Sequence, residues 1–115
     1  MKAKFRLVYL EEADKFIGSL DEKTQAKVIY NLQKARFVND NELFKKLKGE
    51  TWEFRTLYNK LHIRLFAFWD KTESTDTIVV STHGIIKKTD KTSPSEIDKA
   101  ENLRKVYFEQ KSKKK

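Results

Sequence analysis

The sequence predicts an α+β fold, a twisted and mostly antiparallel sheet with an N-terminal α-hairpin and a C-terminal helix. Three observations predict it. Two helical periodicities follow one another near the start, three segments of alternating or branched apolar residues occupy the middle, and a helix-start signature opens the final quarter. At 115 residues the chain can bury one core but not two, and 38% hydrophobic with 12% aromatic residues is enough to fill it. Residues 1–110 are expected to form a single domain, and 111–115 a basic disordered tail.

Phe5 to Leu10 is rich in aromatic and branched residues and reads as an opening strand. From Glu11 to Leu20 the apolar positions Ala13, Phe16, Ile17 and Leu20 fall at helical spacing, and Gly18-Ser19 loosens the end. Asp21 is placed to cap a second helix, with Glu22 near its positive end and Val28, Ile29, Leu32 and Ala35 as the buried stripe. The two helices form a hairpin. All helices are expected to cover one face of the sheet.

Asn39-Asp40-Asn41 breaks this pattern, and the register of the centre follows from alternation. Trp52, Phe54, Thr56 and Tyr58 share one face of a strand, with Glu53, Arg55 and Leu57 on the other. In the next strand Leu61, Ile63, Leu65, Ala67 and Trp69 oppose His62, Arg64, Phe66 and Phe68. If Asn59-Lys60 is a two-residue turn, opposed residue numbers sum to 119, and the first face becomes wholly apolar-rich pairs. Asn suits the first turn position and Lys is a poor second residue. A third strand runs from Thr77 to about His83, with Ile78 and Val80 on one face and Val79, Ser81 and His83 on the other, and Gly84 ends or bulges it. Ser93-Pro94-Ser95-Glu96 is a capping box with proline at the first helical position, opening a helix whose stripe is Ile97, Ala100, Leu103 and Tyr107.

The chemistry is constrained by what is missing. There are no cysteines and only two histidines, so disulfides, thiolate zinc and imidazole-rich metal sites are not expected, and no cofactor is implied. No phosphate-binding glycine loop, dinucleotide fingerprint, nucleophile elbow or zinc-protease helix occurs. No apolar run reaches bilayer length and the N-terminal residues lack a signal-peptide pattern, so the expected location is the cytoplasm, with no membrane partner. The formal charge is +8, nearly all of it C-terminal to Leu43, which suits an anionic partner such as nucleic acid.

Within that basic region the same register places Arg55 opposite Arg64. Like charges directly opposed cost up to about 1 kcal/mol unless something offsets them. A phosphate bridging both guanidiniums would do so; so would an ion pair with Glu53, Asp70 or Glu50. His83 on the neighbouring strand and Lys87 and Lys88 just beyond it extend the basic set, whereas His62 reads as a hairpin-tip residue. Phe66 and Phe68 either stack on bases or pack beneath a helix.

Phe44-Lys45-Lys46-Leu47-Lys48-Gly49, then Trp52-Glu53-Phe54-Arg55, Ile63-Arg64-Leu65-Phe66, His83-Gly84-Ile85-Ile86-Lys87-Lys88-Thr89 and Lys91-Thr92-Ser93-Pro94 with Ile97 and Ala100, together resemble the RelE/ParE toxin superfamily, in its HigB-like, phage-related branch. The resemblance covers nearly the whole chain and implies a RelE-like fold and the toxin half of a type II toxin–antitoxin pair. In the ribonuclease branch it implies metal-independent, ribosome-dependent cleavage of mRNA by attack of a ribose 2′-hydroxyl on the adjacent phosphate. Carried over, Arg55 and Arg64 hold the scissile phosphate, Lys87 assists, and His83 or Glu53 transfers protons. Lys46, Lys48, Lys88 and Lys91 would contact RNA or the ribosome. Ile85-Ile86 stands where the family often has a Phe before the two lysines. The implied partners are a helix-turn-helix antitoxin of HigA type, the ribosome and mRNA. A ParE-type gyrase inhibitor and a non-catalytic antitoxin- or RNA-binding module are the competing functions.

Overall fold

In the computed structural model, which describes residues 2–113, eight elements follow in the order β1 (Arg6–Tyr9), α1 (Glu11–Ser19), α2 (Glu22–Ala35), β2 (Phe44–Lys46), β3 (Trp52–Tyr58), β4 (Leu61–Asp70), β5 (Ile78–Lys87) and α3 (Pro94–Lys113). The strands form one sheet in the order β1-β5-β4-β3-β2, antiparallel except for the parallel β1–β5 edge pair. The α+β architecture is the expected one. β2 was not foreseen, because only Phe44 in its three residues is apolar and buried.

The β3–β4 register agrees with the alternation pair by pair, from Trp52 opposite Ala67 to Tyr58 opposite Leu61. Asn59 and Lys60 close the hairpin with φ of 55° and 62°. Both central residues are thus left-handed, the geometry whose twist matches antiparallel strands. Asp21 caps α2 as its spacing suggests, its side chain accepting from the Thr24 backbone N–H at 2.9 Å.

The expectation that every helix covers one face is overturned. One face carries α1 and α2, whose Ala13, Ile17, Val28, Leu32 and Ala35 pack on Phe44, Phe54, Ile63, Leu65, Ala67 and Val79. The other carries α3, whose Tyr107 and Phe108 pack on Phe68, Ile78 and Val80. The cause is visible in β4: both of its faces are apolar toward Asp70, so both need a cover. Phe66 and Phe68 are accordingly buried, Phe68 beneath Tyr107 and Phe108 and Phe66 against the His83 ring.

The strand expected to stop near Gly84 instead runs to Lys87, passing through a bulge where Phe66 pairs with His83 but Ala67 with Ser81. The extra residue, Thr82, reverses the side-chain alternation beyond it. His83 therefore leaves the face of Val79 and Ser81 and joins that of Arg64 and Phe66. Gly84 then points at α1, where an added Cβ would meet Phe16 Cδ2 at 2.2 Å.

α3 opens at Pro94 as predicted, but its capping box is only half made. Ser93 Oγ accepts from the Ser95 N–H at 3.2 Å, whereas the Glu96 carboxylate is drawn away to His83. At its other end the helix continues to Lys113, and the Lys111 ammonium sits 2.6 Å from the buried Asp70. Residues 111–113, assigned to the expected tail, are helical, and the Asp70 contact gives Lys111 a reason to stay so; Lys114 and Lys115 lie outside the described residues.

Candidate functional site

Arg55 on β3 and Arg64 on β4 face each other on the α3 side of the sheet, as the register requires. They are not left to repel. Arg55 Nη2 donates to Asp90 Oδ1 at 2.8 Å, and Arg64 Nη2 donates to that same oxygen in a very short contact. Asp90 comes from the loop between β5 and α3, and its side chain is 65% exposed while that of Arg64 is 2% exposed. An otherwise solvated carboxylate thus places one oxygen between two forks. The hydrogen bond from Arg55, joined by the charge of both guanidiniums, outweighs desolvation and holds the Asp90 carboxyl below its usual range.

Arg64 has a second anionic neighbour. Its Nε lies 2.7 Å from Glu53 Oε1, close enough for an ion pair but not aligned as a hydrogen bond. Glu53 is buried and also receives the Thr92 hydroxyl at 3.4 Å. Of the three carboxylates weighed from sequence, Glu53 is the one at the pair. Asp70 instead accepts from Lys111, Tyr107 and Thr72, and Glu50 sits at the turn before β3.

The two histidines exchange places relative to expectation. His83 reaches the right face through the bulge, yet both of its nitrogens are occupied. Thr82 Oγ1 lies 2.9 Å from Nδ1, Glu96 Oε1 lies 3.0 Å from Nε2, and the ring stacks on Phe66. These partners suit a neutral ring that accepts at Nδ1 and donates at Nε2. Burial pushes its pKa down, against an upward pull from the Glu96 hydrogen bond. His62 stands instead beside the arginines, with Nδ1 3.3 Å from Arg64 Nη2 and 3.9 Å from Asp90 Oδ1. The signal was in the sequence: His62 is two residues before Arg64 on a strand, hence on its face.

Lys87 pairs across from His62, and its Nζ is buried without a hydrogen-bond partner among the described residues. Arg55 Nε and Arg64 Nε share that condition. Lys46 and Lys48, with Lys45, line a pocket of about 400 Å³ that contains Arg55 and Asp90. Lys88 and Lys91 flank Asp90 in its loop and are exposed. The arrangement can hold an acceptor-rich anion: Arg55 Nε and Lys87 Nζ have no hydrogen-bond partner among the described residues, and Arg64 Nε has only its ion pair with Glu53. Among the described residues no group of three or more His, Cys, Asp or Glu is placed to hold a metal ion, and no helix is long and apolar enough to cross a membrane.

This fold is that of a small basic α+β protein with two arginines paired around one carboxylate oxygen on a sheet face. Comparison with known families places it further: residues 15–105 match the profile of the phage-derived Gp49-like proteins (DUF891), and the chain belongs to that family. The family is associated with the toxins of toxin–antitoxin pairs. No curated protein matches the chain significantly.

Proposed function

We propose that the chain is the toxin of a type II toxin–antitoxin pair, a HigB-like member of the RelE/ParE superfamily that cleaves mRNA in the ribosome. The observation that carries this reading is the single Asp90 oxygen shared by Arg55 and Arg64. It marks a seat for one anionic oxygen, and planar guanidinium forks suit phosphate.

In this reading an RNA phosphate displaces Asp90. The ribose 2′-oxygen then attacks phosphorus, the bond from phosphorus to the 5′-oxygen breaks, and a cyclic phosphate and a 5′-hydroxyl result. Arg55 and Arg64 take up the extra charge of the pentacoordinate state, each well-placed donor contributing roughly 3 to 4 kcal/mol. Lys87, without a hydrogen-bond partner among the described residues, turns to the same anion. One group must take the 2′ proton and another supply a proton to the leaving oxygen. His62 fits this work better than His83, whose nitrogens are held by Thr82 and Glu96, and Glu53 keeps Arg64 in place rather than meeting substrate. Lys46, Lys48, Lys88 and Lys91 meet the neighbouring backbone. The natural setting is the cytoplasm, the inhibitory partner a helix-turn-helix antitoxin, and residues 1–110 act as one toxin domain.

The test is induced expression with mapping of 5′ ends on translated messages. Cuts that vanish in Arg55→Ala and His62→Gln support the reading. Growth arrest with uncut messages overturns it, in favour of a gyrase poison if the SOS response is induced, and harmless expression of the folded chain points to a docking module.

A further inference from the structure

Five buried side-chain nitrogens lack a hydrogen-bond partner among the described residues, and they are not scattered. Three belong to Arg55, Arg64 and Lys87. The other two are Trp69 Nε1 and Arg104 Nε, on residues that line one groove of about 630 Å³ at the far end of β4. Orphaned donors in a folded protein call for an acceptor.

The walls of the groove narrow the choice of ligand. Lys46, Lys71 and Arg104 line it against the single carboxylate of Glu50. Trp52, Trp69, Phe108 and Thr72 supply the rest, the indoles meeting edge to face at 5.7 Å. Two of the cations already lie on aromatic rings, Lys71 at 5.0 Å from the Trp69 centroid and Arg104 at 5.1 Å from that of Phe108. Cations and flat aromatic rings in one concavity, on side chains whose own buried N–H groups are unsatisfied, suit an anion with a π face, the chemistry of a nucleotide. Lys46, on the edge strand β2, also lines the pocket that holds Arg55 and Asp90, so the groove meets the arginine seat at that edge although the two tryptophans lie on the opposite sheet face from the arginines.

We propose that this groove is a second subsite for single-stranded RNA, taking a nucleotide of the same strand whose phosphate occupies the Arg55–Arg64 seat. The assignment rests on the ribonuclease reading for its choice of RNA, but its test does not depend on cleavage.

Both tryptophans of the chain line the groove, so intrinsic fluorescence reports on it directly. Titration of the full chain with a short oligouridylate made uncleavable by 2′-O-methyl groups should quench that fluorescence. Lys71→Gln and Arg104→Gln should each weaken binding roughly 5- to 10-fold and flatten the dependence of log K on log salt by about 0.7 per cation removed. Lys71 is exposed, so its variant folds whatever Arg104 contributes to α3. Arg55→Ala should lose cleavage and weaken overall affinity but still show the full quench at saturating oligonucleotide, which separates this subsite from the catalytic seat. The proposal is overturned if the oligonucleotide binds by anisotropy without quenching, if both variants bind as tightly as the parent, or if an acidic peptide displaces the RNA from the indoles. Cleavage failing while the quench persists removes the ribonuclease reading and leaves an RNA-binding groove.

Discussion

In the proposed function, Asp90 and an incoming phosphate compete for the same two guanidiniums. The contest is uneven, because Arg64 is held from below by Glu53 at 2.7 Å while Asp90 is anchored only through an exposed loop. An exposed carboxylate in an ion pair contributes little net free energy, so it is a weak competitor. Asp90→Asn keeps the shape and removes the charge. It should tighten binding of inorganic phosphate, or of an uncleavable RNA, by roughly two- to fivefold, as measured by calorimetry at low salt. Unchanged or weaker binding would show that Asp90 helps to build the seat rather than fill it. The arginine pair was legible in the sequence because strand alternation and one turn determine which residues oppose each other. Asp90 was not, because a contact across 26 or 35 residues depends on how a loop without regular structure closes.

At the scale of elements, β5 shows how much one residue can move. A strict alternation from Ile78 puts His83 beneath α1, and no local pattern announces that Thr82 is extra; the bulge is a product of how β5 pairs with β4. It also turns Gly84 toward α1, where Phe16 fills the space a side chain would need. Gly84→Ala should therefore overpack the sheet–helix contact and destabilise the chain by about 1 to 3 kcal/mol in urea unfolding. Combining it with Phe16→Leu should recover part of that loss, a non-additivity that identifies the contact as the cause. Additive losses would place the cost in the backbone instead. The position of α3 was similarly hidden: its sequence is weakly amphipathic, and only Ala100 along its 20 residues is fully buried. Its stripe marks a helix without saying which face of the sheet receives it.

For the whole molecule, α3 combines a sparse apolar hold with several polar tethers. Glu101 accepts from Thr51 Oγ1 at 2.6 Å, Glu96 meets His83, and Asp70 takes both Tyr107 and Lys111 at 2.6 Å. Two of these tethers carry a proton dependence. For His83, burial comes first and lowers the pKa, so the folded chain favours the neutral ring; stability is full above the ordinary value of 6.5 and declines as pH falls below it. For Asp70, burial pushes upward, but hydrogen bonds from Lys111, Tyr107 and Thr72 outweigh it and hold the carboxyl well below 3.8. Its share is present above that value and is lost as pH falls further. Urea midpoints taken from pH 8 downward should accordingly fall in two steps, a first below about 6.5 and a second below about 4. Asp70→Asn should cost roughly 2 to 3 kcal/mol at neutral pH and flatten the second step while leaving the first, since the tethers lie on different strands. If the second step survives the substitution, other carboxylates govern acid unfolding, and α3 is held by the packing of Tyr107 and Phe108 on Phe68 rather than by its charges.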